Sequence, residues 1–257
     1  MIKPYYDDGQ ITVYKGDARD LLPVLRADLI VADPPYNQTS LEWDKWPDGW
    51  PVAALGALNQ GGSMWCFGSM RMFLDRVSEF QGWDFAQDLV WEKHNGSNFH
   101  ADRFRRVHES IVHWYPTSTP WEQIYRNPVF TMDATKRTTR RKTRPTHMGN
   151  IDEGPYTSED GGPRLMRSVQ FVKSTHGYAI HPTQKPVNII MPLLRYSCPP
   201  DGVVLDPFAG SLSTLVAAKE LGLRAIGIEI DAQYIDPGLQ RLCTPIEGGL
   251  FTQEPQP

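Results

Sequence analysis

The residues best equipped for chemistry are Asp33-Pro34-Pro35-Tyr36, which end the apolar run Ala27-Asp28-Leu29-Ile30-Val31-Ala32. Leu29 to Ala32 reads as a short buried strand. Two successive prolines forbid its continuation, because neither donates a ladder hydrogen bond and each restricts the residue before it. The chain therefore leaves the sheet there and presents a carboxylate, unpaired backbone carbonyls and an aromatic ring within four residues. Such a set suits a flat heterocycle with an exocyclic amino group: Asp33 and the Pro34 carbonyl accept its two N–H bonds, and Tyr36 stacks on its face. Taken alone, the four residues fit an ordinary strand-ending turn equally well.

A second apolar strand, Val203-Val204-Leu205-Asp206, leads into Pro207-Phe208-Ala209-Gly210-Ser211. A helical run from Leu212 to Leu221 follows, closed by Gly222, and then a third strand, Ala225-Ile226-Gly227-Ile228-Glu229-Ile230. Strand, small-residue turn, helix, strand and acid make a βαβ nucleotide site. The tight turn lets a ligand approach backbone, and an acid about 20 residues on binds ribose hydroxyls.

With His181-Pro182-Thr183-Gln184-Lys185-Pro186 between them, these segments resemble the amino-methylating DNA methyltransferases of the beta group. In that circularly permuted arrangement the catalytic motif precedes the cofactor motif. Val13-Tyr14-Lys15-Gly16-Asp17, Trp91-Glu92-Lys93 and His108-Glu109-Ser110-Ile111-Val112 resemble three further strands of the family, so matches run from Ile11 to Arg241. The resemblance implies an α/β, Rossmann-like methyltransferase fold with a mostly parallel seven-stranded sheet. It also implies an enzyme of restriction-modification type that methylates the amino group of a base flipped out of double-stranded DNA.

An acid before Pro-Pro-Tyr favours adenine N6. Relatives acting on cytosine N4 more often carry serine there, and cytosine stays the alternative. S-adenosylmethionine is the implied cofactor, with Glu229 at its ribose hydroxyls and Asp17 near its adenine amino group. Phe208, Ala209 and Gly210 would lie along the methionine portion, with Asp206, Ser211 and Thr214 completing the turn, and Lys185 with Thr183 at the amino-acid carboxylate. His181 is expected only to hydrogen-bond its own loop. No metal ion is expected.

One departure from the family turn is Leu212, where a second glycine is usual. Leucine disfavours positive φ and adds bulk, so the turn is expected to be completed by Gly210 and Ser211 with the helix starting slightly earlier. An altered cofactor pocket is the other reading, and with it a catalytically inert DNA-binding relative. A nicotinamide dehydrogenase would need Gly-x-Gly-x-x-Gly, which Asp206 to Thr214 lacks.

The 257 residues are 40% hydrophobic, enough for a large core, and fit one elaborated α/β domain. No apolar run approaches membrane-spanning length and the amino terminus lacks a signal-peptide stretch, so a cytoplasmic protein is expected. Cys66, Cys198 and Cys243 have no paired spacing, which argues against a disulfide framework or zinc site.

The net charge of −4 hides an asymmetry. Pro116 to Thr175 carries 10 Lys and Arg against 6 Asp and Glu, so this segment is +4 and the remainder is −8. Within it Lys136, Arg137, Arg140, Arg141, Lys142 and Arg144 fall in nine positions and can neutralise backbone phosphates. The expected organisation is a catalytic half over 1–115, a basic target-recognition insert over 116–175, a cofactor half over 176–244 and a disordered polar tail over 245–257. The resemblance leaves a homodimer and a cognate restriction enzyme open as further partners.

Strands are expected over Ile11 to Lys15, Leu29 to Ala32, Gly62 to Phe67, Phe85 to Trp91 and Ser110 to Trp114. The last two would form an antiparallel pair. Helices are expected over Trp50 to Asn59, Met70 to Phe80 and Val187 to Tyr196.

Overall fold

A computed structural model describes residues 2–96, 101–139, 156–175 and 179–244. Among these residues the main sheet has nine strands: β1 (Tyr6–Asp7), β2 (Ile11–Lys15), β3 (Ala27–Ala32), β4 (Leu58–Gly68), β5 (Trp83–Glu92), β6 (His108–Pro116), β7 (Val169–Phe171), β8 (Val203–Asp206) and β9 (Arg224–Glu229). Their spatial order is β1-β2-β9-β8-β3-β4-β6-β5-β7. This corrects the expected seven. The two additions are edge strands of two and three residues, which pair backbone groups that an open sheet edge leaves unsatisfied.

Pairing is parallel from β2 through β9, β8 and β3 to β4. It is antiparallel from β4 to β6 and from β6 to β5, so the expected antiparallel pair is present. Because the parallel strands are buried on both faces, neighbouring residues of β3 enter opposite cores. Leu29 and Val31 join a core with Ile190 of α4 (Val187–Ser197), Leu215 of α5 (Ser213–Glu220) and Ile235 of α6 (Ala232–Leu242). Ile30 and Ala32 join one with Leu21, Trp50 and Phe73, carried by the helices α1 (Ala18–Leu21), α2 (Trp50–Ala57) and α3 (Met70–Arg76). Two helices stop earlier than expected. The first ends at Ala57 because β4 already begins at Leu58; the second tightens into a 3₁₀ turn over Val77–Glu79.

Residues 128–167 form a separate compact unit. In it Phe130–Thr131 pairs antiparallel with Arg164–Leu165, and Arg137–Thr139 with Tyr156–Ser158. The two ladders share a bend where Ala134 exchanges backbone hydrogen bonds with Gly161 and Gly162. Residues 116–127 and 168–175, expected in the insert, belong with the sheet instead. Arg140, Arg141, Lys142, Arg144 and the 245–257 tail lie outside the described residues. No described helix is long and apolar enough to cross a membrane.

The turn after β8 departs from expectation. The helix does not start early: Leu212 itself adopts φ +60 and ψ 26, just ahead of α5, and Gly210 has φ +46. A left-handed non-glycine residue costs about 1–2 kcal/mol. Complete burial of the Leu212 side chain offsets this, since its atoms occupy the space beside Gly238 of α6. A Cβ at position 238 would stand 2.5 Å from Leu212 Cγ.

Gly238→Ala should therefore destabilise by about 1–3 kcal/mol despite its better helix propensity. Leu212→Gly should cost about 2–4 kcal/mol through its cavity, less the relieved strain. Urea melts of both single variants and the double variant check this: the double should fall short of the sum by at least about 1 kcal/mol. Strict additivity would mean that the two residues do not share the space.

Candidate active site

Connections from β8 and β3 leave in opposite directions along the sheet, through α5 to β9 and through the helix Trp50–Ala57 to β4. Such a reversal opens a crevice at the strands' carboxyl ends, where α/β sheets bind ligands. A cavity of about 400 Å³ lies there, lined by Asp17, Asp33, Pro34, Pro35, Tyr36, Thr183, Lys185, Asp206, Phe208 and Glu229 among others. Ala209, Gly210, Ser211 and Thr214 also border it, so the expected catalytic and cofactor sets share one cavity.

Both oxygens of Asp33 are engaged. Tyr36 Oη donates to Oδ1 at 2.7 Å and Lys185 Nζ to Oδ2 at 2.5 Å. Burial, then the charges of Asp33 and Glu109, hold the Tyr36 hydroxyl well above its ordinary pKa, so it stays a donor. Lys185 thus stands on the carboxylate of Asp33. Its Nζ also lies 3.6 Å from Glu109 Oε2, and Glu109 Oε1 accepts from Lys93 Nζ at 2.8 Å. Glu109 reaches this edge because β6 runs against β4, which brings its first residues beside the end of β3.

On the other side, each oxygen of Glu229 takes one backbone amide: Gly210 N at 2.7 Å and Asp231 N at 2.8 Å. A carboxylate offers about four lone-pair positions, so acceptor capacity remains for two hydroxyls. Burial raises the Glu229 pKa against those amides. Asp17 caps the helix Ala18–Leu21 and pairs with Arg19. Phe208 packs edge-on against Trp50. The Thr183 amide bonds His181 Nδ1, the loop role expected of that histidine. The His181 ring also lies 4.2 Å from Tyr234 and 5.4 Å from Trp43, two pocket aromatics for which the sequence offers no local signal.

A family model described as DNA methylase, covering N6 and N4 methyltransferases, matches residues 27–240. The chain belongs to the DNA methylase family. It is 29% identical to the type II methyltransferase M.HinfI of Haemophilus influenzae, over 94% of this chain and 71% of that protein. To M.ScaI of Streptomyces caespitosus it is 26% identical, over 93% and 84%. Similar solved structures include the M1.HpyAVI–SAM complex (TM-score 0.61, 23% identity, covering 90% of this chain and 98% of that one). They also include the cytosine-N4-specific PvuII DNA methyltransferase (TM-score 0.63, 16% identity, 93% and 88%). The methyltransferase fold is therefore shared with them.

Within this methylase the Lys93–Glu109 pair that stands behind Lys185 could have been found from one signal: the two carry opposite charges at the facing ends of two strands expected to pair.

Asp206 is a further buried acid at this cavity. Burial raises its carboxyl to about 7, against the Thr214 hydroxyl and the Phe208 amide, while the charges of Asp33 and Glu229 add to the rise. An unfolded aspartate ionises near pH 4, so folding takes up a proton between about pH 4 and 7 and stability falls as pH rises through that window, by up to about 4 kcal/mol. Asp206→Asn removes the linkage. Paired urea melts should show the variant gaining on the parent by at least about 1 kcal/mol between pH 5 and pH 8. Parallel curves would mean that this carboxyl titrates normally.

Proposed function

We propose that this DNA methylase transfers a methyl group from S-adenosylmethionine to the N6 amino group of adenine, in a base rotated out of the duplex. The observation that carries this reading is Asp33: an acid heads the Pro-Pro-Tyr turn and stands, with its orientation fixed, in the same cavity as the Gly210–Glu229 cradle. That cradle suits the cofactor, with Glu229 at the ribose, Asp17 near the adenine and Phe208, Ala209 and Gly210 along the methionine. Bound there, S-adenosylmethionine supplies an electrophilic methyl group on sulfur.

The chain's own task is to prepare the nucleophile. An adenine amino nitrogen has its lone pair delocalised into the ring and must become more tetrahedral to attack. Asp33 and the Pro34 carbonyl, accepting its two N–H bonds, turn the lone pair toward the methyl and stabilise the positive charge that develops on nitrogen. Extrusion of the base costs a few kcal/mol. Stacking on Tyr36, whose phenol is tied to Asp33, returns about 1–3 kcal/mol of this. Cytosine N4 is the second reading, supported by the shared fold of the cytosine-specific PvuII enzyme.

Two variants separate chemistry from binding. Asp33→Ala should lose about 10²–10³ in turnover and keep its calorimetric affinity for S-adenosylmethionine. Glu229→Ala should instead weaken that affinity by about 1.5–3 kcal/mol. Mass spectrometry of digested product DNA reads the base: N6-methyladenine supports the proposal, and N4-methylcytosine replaces it with the second reading.

DNA contact is proposed for the basic run. Lys136 and Arg137 sit at the start of the Arg137–Thr139 ladder, with the Lys136 amide held by Asp160 at 2.5 Å. Arg140, Arg141, Lys142 and Arg144 continue the run. If these residues meet phosphates, Arg140→Ala/Arg141→Ala should flatten the slope of log affinity against log salt by about 1.8, on specific and non-specific duplexes alike. An unchanged slope and affinity would move the phosphate contacts elsewhere, with Arg103, Arg105 and Arg106 next in line.

A further inference from the structure

Two prolines fix the backbone at Asp33, yet they leave its side-chain torsions free. The Tyr36 hydroxyl of the same turn holds one carboxylate oxygen, and the group on the other comes from far along the chain. Lys185, 152 residues along the chain and only 7% exposed, reaches Asp33 Oδ2. Its Nζ donates to Asp33 Oδ2 at 2.5 Å, has the Thr183 carbonyl at 3.4 Å and lies within ion-pair range of Glu109 Oε2 at 3.6 Å. Glu109 is in turn 9% exposed and anchored by Lys93. Without the ammonium, two carboxylates would face one cavity with no charge between them, which is costly at such burial.

We propose that Lys185, braced by Glu109, is a positioning residue for Asp33: it fixes the carboxylate so that its remaining lone pairs face the target amino group. The inference rests on the reading in which Asp33 receives that group. It moves the lysine of His181-Pro182-Thr183-Gln184-Lys185-Pro186 from the cofactor side of the pocket to the base side. Glu109 and Lys93 become its counterweight, so that alternating charges run from Asp33 to Lys93 with no net charge.

A double-mutant cycle tests it. Lys185→Met and Glu109→Gln are each made in the parent and in Asp33→Asn, with single-turnover methylation of duplex DNA, calorimetry with S-adenosylmethionine and urea melts as readouts. In the parent, Lys185→Met should slow methylation by about 10- to 100-fold, the scale of a misplaced reacting group. Its cofactor dissociation constant should stay within about twofold of the parent's, and in Asp33→Asn its added cost should shrink below about threefold. Glu109→Gln should follow with a smaller loss and the same masking, and it decides the matter if Lys185→Met does not fold.

Tenfold weaker cofactor binding in Lys185→Met, or equal fractional losses with and without the Asp33 carboxylate, would overturn the proposal. An Asp33→Asn enzyme working at the parental rate would instead remove the underlying role of Asp33, so the two failures are distinguishable.

Discussion

Strand direction governs this molecule. Because β8 and β3 are parallel neighbours whose connections depart to opposite sides, no crossover covers the crevice at their carboxyl ends. Asp206 and Asp33 therefore face a common space although 173 positions separate their numbers. The same sheet then reverses direction at β6, and this reversal delivers Glu109 to the edge that the parallel strands have opened. The catalytic candidates are where they are because strands of known polarity end there.

Gathering acids at one sheet edge raises an electrostatic problem that each acid meets differently. Asp33 faces an ammonium. Glu109 is pushed up by burial, but Lys185 and Lys93 bring it below its ordinary value. Glu229 rests on two backbone amides, and Asp206 keeps its proton to about pH 7. Lys185 shows the reverse balance, since burial pushes it down and the charges of Asp33 and Glu109 carry it above the usual lysine range. The result is a pocket with acceptors of graded charge, which suits a reaction in which positive charge appears on nitrogen at one end and is lost from sulfur at the other.

Much of this was legible in the sequence where local rules decide. Buried β-strands announce themselves as short apolar runs, and the prolines after Asp33 mark where β3 must stop; β2 and β8 have the bounds that such runs suggest. The edge strands β1 and β7 were not legible, because two or three residues carry no periodicity. Nor was the partner of Lys185, since an ion pair across 152 residues leaves no local trace and only the fold brings its members together. At Leu212 a local rule pointed the wrong way: intrinsic backbone preference opposed positive φ, and burial of the side chain outweighed it. The basic run between Lys136 and Arg144 is plain as composition, but composition does not say which groups meet a phosphate.

The pairing of Leu212 with Gly238 bears on how such a turn can change over generations. A chain with glycine at 212 has room for a larger residue at 238; with that residue in place, leucine at the turn would press on its Cβ. Conversely, a chain that has taken leucine is held to glycine on the facing helix. The order in which the two positions change thus decides which states can be reached, and a sequence with bulky residues at both would require the turn and α6 to separate. This small steric fact ties the turn after β8 to the residue that α6 presents at 238.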